Sequence, residues 1–130
     1  LGTPDMRVPI AYGLSFPQRI ESGAEALDFL SLKALTFEPP EPARFPGLFL
    51  AWDALRGPHG TTAVLNAANE VAVAAFLEGQ IAFDTIHRIN ASTLEQVTPG
   101  LALDAPVEAL LELDEQARAS ARARVGAWRR

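Results

Sequence analysis

The pattern of apolar positions changes character along the chain. From Pro46 onward it repeats every three to four residues, the period of an amphipathic helix. Phe45, Leu48/Phe49, Trp52 and Leu55 form one such stripe, predicting a helix over 46–56 with Pro46 in its first turn and Gly57-Pro58-His59-Gly60 as its end. A second helix is predicted from a Thr61 or Thr62 cap to about Glu78, stopped by Gly79. It is apolar nearly all round, so it is expected to be the central, most buried element. Asp84 should cap a third helix to Val97, with Ile86, Ile89, Thr93, Leu94 and Val97 on one face. The last segment starts at Asp104-Ala105-Pro106 and carries the stripe Leu110, Leu113, Ala117, Ala121, Val125 and Trp128. Asp114 is a candidate cap that would split it in two. Short connections between such helices imply a mostly antiparallel bundle.

The first third follows no such period. Eight of the ten prolines fall in the first 58 positions, which cuts this part into short pieces. Thr3-Pro4-Asp5 reads as a helix start with Thr3 as cap, continuing over Arg7–Phe16 and ending at Pro17. Ser22-Gly23 reads as a turn. The loose alternation of Leu30, Leu32, Leu35 and Phe37 predicts a short strand. Glu38-Pro39-Pro40-Glu41-Pro42 is a stiff extended linker, because consecutive prolines forbid helix. The expected fold class is therefore mainly α. A short α/β remnant over 1–37 and a Pro-rich linker over 38–42 precede a bundle of about four helices over 43–130.

Composition narrows the function classes. The chain has 130 residues, 48% of them hydrophobic and 21% charged, values of a folded domain. A net charge of −5 argues against a nucleic-acid binder. The absence of cysteine excludes disulfides, thiol nucleophiles and zinc–thiolate sites. Two distant histidines, His59 and His87, make an imidazole-based metal site an unfavoured reading. Ten of the 11 basic residues are arginine, which reflects base composition or thermal adaptation rather than function. No apolar run reaches membrane-spanning length and no signal peptide opens the chain. The start at Leu1, inside patterned sequence, leads us to expect an N-terminus further upstream.

No phosphate-binding glycine loop, zinc-protease helix motif or serine-nucleophile elbow is present. His59, in a Gly-Pro-His-Gly loop, reads as a surface residue, and His87 as structural. Glu108 and Glu112 read as a solvated helix face. Arg118, Arg122, Arg124, Arg129 and Arg130 suit the C-terminal end of a helix macrodipole, with phosphate binding as the sharper alternative. Asn66, Asn69 and Glu70 lie on one face of the most apolar helix. They are either a hydrogen-bonded network that orients the helix, which we favour, or a polar patch facing a site.

Four words of the sequence go further. Leu1–Tyr12 (Leu-Gly-Thr-Pro-Asp-Met-Arg-Val-Pro-Ile-Ala-Tyr), Leu27-Asp28-Phe29 with Leu35–Pro40, Phe45-Pro46 with Leu48 and Leu50-Ala51, and Val64–Leu77 (Val-Leu-Asn-Ala-Ala-Asn-Glu-Val-Ala-Val-Ala-Ala-Phe-Leu) occur in one order and spacing. Together they resemble the 1-deoxy-D-xylulose 5-phosphate reductoisomerase family, strongly to about Leu94. The resemblance covers the family's last third: the tail of a catalytic domain, a linker and a C-terminal helical bundle. It implies a cytoplasmic, usually homodimeric parent enzyme that uses NADPH and a divalent metal (Mg, Mn or Co). That enzyme would convert 1-deoxy-D-xylulose 5-phosphate to 2-C-methyl-D-erythritol 4-phosphate in isoprenoid precursor biosynthesis, without nucleic-acid or membrane partners. The family's metal ligands, catalytic residues and phosphate-binding residues lie upstream and map to no position here. Only Pro4 and Met6 match residues that pack near the nicotinamide ring. The resemblance thus implies a chain that is inactive and binds no cofactor by itself. The alternative from another class is a stand-alone helical interaction or scaffolding module.

Overall fold

The computed structural model describes residues 2–32 and 34–128. Its elements are five helices: α1 (Arg7–Ser15), α2 (Pro46–Arg56), α3 (Thr61–Leu77), α4 (Thr85–Gln96) and α5 (Val107–Ala127). The chain divides into two compact units, Leu1–Glu38 and Pro39–Arg130.

In the first unit, α1 starts later than the sequence pattern suggests. Asp5, not Thr3, serves the helix start: its Oδ1 accepts the Arg7 backbone N–H at 2.9 Å. The Thr3 hydroxyl instead donates to the Glu25 carbonyl at 2.9 Å. Arg7 also folds back onto the Asp5 carboxylate, and this side-chain hydrogen bond holds the Asp5 carboxyl below its ordinary range. No residue of α1 is buried.

The strand expected over 30–37, and with it the β part of the α/β remnant, does not form among the described residues. Phe29–Ser31 is a turn, pinned by Asp28, whose carboxylate accepts the Leu30 N–H at 2.9 Å. An apolar alternation needs a neighbouring strand to complete its hydrogen bonds, and none is present among the described residues of this unit.

The second unit is the four-helix bundle. α3 runs through its middle and packs chiefly against α5 and α4. Its buried face is small: Val64, Ala67, Ala68, Ala72 and Ala75 recur at three- and four-residue steps. Alanines opposite alanines (Ala117 and Ala121 of α5) let the two helices approach closely. Two apolar clusters result. One joins Ala68, Ala72, Ile81, Ile89 and Ala121; the other joins Val64, Ala67, Leu113 and Ala117.

The ends of α3 explain its length. Gly60 precedes it at φ +97°, in the left-handed region, so neither Thr61 nor Thr62 is the cap. The Thr61 hydroxyl donates backward to the Pro58 carbonyl at 2.6 Å. At the other end Gly79, at φ +72°, donates to the Phe76 carbonyl, and Gln80 N–H donates to the Ala75 carbonyl, the paired bonds of a Schellman motif.

Two further expectations are corrected. α5 is one helix of 21 residues, and Asp114 does not interrupt it. A side chain four residues on, Arg118, takes its carboxylate at 2.6 Å, so the acid has no need to cap a helix start. The apolar stripe of α2 does not face inward either. Phe45, Leu48, Trp52 and Leu55 are exposed while Phe49 is half-buried, and Ala54 is the buried residue of this helix.

Candidate functional site

A concavity of the second unit lies between α2, α3 and α4 and has a volume of about 700 Å³. Phe45, Leu48, Leu65, Val73, Phe83 and Ile86 make it largely apolar, and Thr62, Asn66, Asn69, His87, Asn90 and Arg44 add polar groups. α3 presents this face because its alanines are committed to α5 and α4, leaving the opposite side of the helix open.

That arrangement decides the character of the Asn66–Asn69–Glu70 group. The hydrogen bonds exist: Asn66 Nδ2 donates to Glu70 Oε1 at 3.1 Å, and Asn90 Nδ2 donates to Asn69 Oδ1 at 3.0 Å. Arg118 Nη2 donates to Glu70 Oε2 at 2.8 Å, which ties α3 to α5. Yet Asn66, Asn69 and Glu70 are exposed, so this hydrogen-bonded network lies at the surface of α3 rather than in its packed core. The near-continuous apolar run hid the fact that only one face of α3 is covered. The buried member is Asn90 of α4, which the sequence reading passed over. Its spacing of one residue from Ile89 offered no signal, since only the docking of α4 on α3 brings it to Asn69. Replacing Asn66 with alanine is therefore expected to change stability by no more than about 0.5 kcal/mol, as for an exposed site. Denaturant unfolding of the two chains side by side measures it.

Electrostatics follow the same links. The hydrogen bond from Arg118, seconded by that from Asn66, holds the Glu70 carboxyl below its ordinary value of 4.5. Asp114 and Glu70 together raise the Arg118 guanidinium above its already high value. Since Glu70 is depressed in the folded chain, its contribution is complete above about pH 4.5 and is lost as the pH falls through the lower folded-state value. Arg118→Met should move the Glu70 titration back up toward 4.5 in a carboxyl ¹³C NMR experiment. An unmoved titration would show that Arg118 is not the cause.

The remaining candidates separate. His87 is half-buried and lines the cavity, whereas His59 is half-buried in the α2–α3 loop. Arg118 is engaged by two carboxylates, and Arg122 sits 3.7 Å from Glu115. Arg129 and Arg130 lie outside the described residues. Glu108 and Glu112 are exposed. In the first unit, Pro4 and Met6 are exposed just ahead of α1, Met6 at 70%. Among the described residues no group of three or more acidic, histidine or cysteine side chains could hold a metal ion. No described helix is long and apolar enough to cross a membrane.

Known proteins resemble this chain throughout its length. Residues 1–120 match the DXP reductoisomerase C-terminal domain. The 1-deoxy-D-xylulose 5-phosphate reductoisomerase of Cupriavidus pinatubonensis is 54% identical over 123 residues, 95% of this chain and 31% of the relative. That of Aromatoleum aromaticum is 50% identical over 125 residues, 96% of this chain and 30% of the relative. Among solved structures, the Zymomonas mobilis reductoisomerase in complex with NADPH superposes with a TM-score of 0.80 at 43% identity, covering 96% of this chain and 32% of that one. A DOX-P reductoisomerase in complex with NADPH, fosmidomycin and magnesium superposes at 0.84 with 37% identity, covering 97% and 33%. The chain thus spans about a third of the length of the relatives it matches. An all-helical bundle with a short leading unit, matched over its length in sequence and in backbone, makes this chain a member of the DXP reductoisomerase C-terminal domain family.

Proposed function

We propose that this chain is the C-terminal part of an enzyme that rearranges and reduces 1-deoxy-D-xylulose 5-phosphate to 2-C-methyl-D-erythritol 4-phosphate. The parent would be a cytoplasmic homodimer using NADPH and a divalent metal. The observation that carries this reading is 54% identity maintained over 123 residues of a reductoisomerase. In this reading residues 1–37 are the end of the catalytic domain, 38–42 the linker and 43–130 the terminal bundle.

The described residues offer no cluster for the metal, so no step through a metal belongs to them. For NADPH the fit is partial. The cofactor supplies a hydride, and Pro4 and Met6 offer exposed apolar surface, a ring and a soft thioether, suited to one face of a nicotinamide. Among the described residues no glycine-rich helix start of the kind that normally holds a pyrophosphate is found. The chain alone is therefore expected to be inactive, and the bundle supplies support rather than chemistry.

The test is a chimera in which the matched segment of the Cupriavidus pinatubonensis relative is replaced by this chain. We expect it to oxidise NADPH on addition of 1-deoxy-D-xylulose 5-phosphate and magnesium, within about tenfold of the relative, roughly 1.4 kcal/mol of barrier. The isolated chain should show no turnover. A folded chimera without turnover, or turnover by the chain alone, would sink the proposal.

A further inference from the structure

We infer that Thr3, Asp5 and Arg7 are positioning residues that hold Pro4 and Met6 as a fixed apolar platform for the nicotinamide ring. The inference rests on the reading of Pro4 and Met6 proposed above and adds to it the side chains that set their place.

Tied and free residues alternate along this stretch. Thr3 and Asp5 are half-buried, whereas Pro4 and Met6 are exposed, Met6 at 70%. The Thr3 hydroxyl donates to the Glu25 carbonyl at 2.9 Å, across 22 positions of chain. The Asp5 backbone N–H donates to the Thr3 carbonyl at 2.8 Å. Asp5 Oδ1 accepts the Arg7 backbone N–H at 2.9 Å, and both carboxylate oxygens accept from Arg7 Nε at 3.0 Å. Residues 3, 5 and 7 are thus held through their side chains, and the two apolar residues fall between them. The pyrrolidine ring fixes φ at Pro4 as well.

The turn to which this stretch is tied is itself shaped. Ser22 Oγ accepts the Ala24 backbone N–H at 3.2 Å, and Gly23 sits at φ +70°, in the left-handed region. A Cβ on Gly23 would lie 3.8 Å from Arg7 Nη1, so the guanidinium passes this turn at van der Waals distance. Residues 3–7 therefore meet the 22–25 turn at two points, Thr3 at Glu25 and Arg7 at Gly23.

These polar ties matter because none of the described residues of the first unit is buried. Apolar packing inside the unit does not fix Pro4 and Met6, and the hydrogen bonds on either side of them do. A surface ordered before its ligand arrives binds more tightly than one that must be ordered on binding. Loss of a tie leaves the ring and the thioether chemically intact but no longer held, so its effect should fall on the cofactor and not on the sugar phosphate.

Two measurements test this. In the chain itself, amide NMR relaxation should find residues 5–7 as ordered as α3, and Thr3→Val or Arg7→Met should loosen them. In the chimera, both changes should weaken NADPH affinity, read by nucleotide fluorescence, by about three- to tenfold. The KM for 1-deoxy-D-xylulose 5-phosphate and the unfolding midpoint should stay as they were. Thr3→Ser, which keeps the hydroxyl donor, should restore the affinity. Equal losses toward NADPH and sugar phosphate would overturn the inference, because they would report a general loosening. Unchanged NADPH affinity in both variants would overturn it too, as would residues 5–7 equally mobile with and without the ties. A chimera that loses NADPH affinity in both variants and yet turns nothing over would keep the inference while the proposed activity fails.

Discussion

Gly60→Ala is expected to destabilise the bundle by about 2–4 kcal/mol, the sum of backbone strain and overpacking. Gly60 sits at φ +97°, where an L-residue with a Cβ is strained whatever space surrounds it. The space is also taken. A Cβ there would lie 2.6 Å from Leu113 Cδ2, 3.2 Å from Pro99 Cβ and 3.4 Å from Leu101 Cδ1. The Leu113 methyl is the end of a flexible side chain, but Leu113 is buried against Val64, Ala67 and Ala117, so it cannot swing away without opening that cluster. The measurement is urea unfolding followed by helical circular dichroism. A midpoint equal to that of the unsubstituted chain would mean that the α2–α3 loop relaxes freely and that Gly60 does not set the start of α3.

Ile89→Ala should cost more than a typical core truncation, about 4 kcal/mol, while Ile89→Val should cost about 1 kcal/mol. Ile89 is fully buried on α4 and meets Ala68, Ala72 and Ala121. The alanines among its neighbours have no side chain long enough to swing in, and Ile81 and Val125, buried in the same cluster, could fill a void only by giving up contacts of their own. A lost methylene therefore leaves most of its volume as cavity. The two variants together separate packing from simple hydrophobicity: similar costs for both would show that the site collapses around the smaller residue and that the packing account is wrong.

How much of this was legible beforehand differs by element. The inward stripes of α4 and α5 are where the spacing put them, because Ile89 and Thr93, and Leu113, Ala117, Ala121 and Val125, repeat with the helical period and are buried. The end of α3 at Gly79 was equally readable, since only glycine enters the left-handed region freely. α2 defeated the same reasoning. Its stripe is as regular as that of α5, yet of its members Phe45, Leu48, Trp52 and Leu55 are exposed and only Phe49 is half-buried. Periodicity identifies a face that ought to be covered, but it does not say by what.

The cavity site was legible in part. Asn66, Asn69 and Glu70 stood out as polar residues in an apolar run, and one-turn spacing put Asn66 and Glu70 in hydrogen-bond reach. Their partners did not stand out. Arg118 is 48 positions from Glu70, and Asn90 is 21 from Asn69, separations at which no local pattern operates.

Local chemistry along the chain, then, determined the helical class, the glycine stops and the family, because each depends on residues within a few turns of one another or on an ordered series of words. The tertiary structure alone decided which face of α3 is covered, that α2 turns its apolar stripe outward, that α5 runs unbroken past Asp114, and that no strand forms over 30–37 among the described residues. The physical reason is common to all four. Burial, a strand's hydrogen bonds and the fate of a candidate cap are settled by what lies opposite in space, and sequence spacing carries no record of the neighbour.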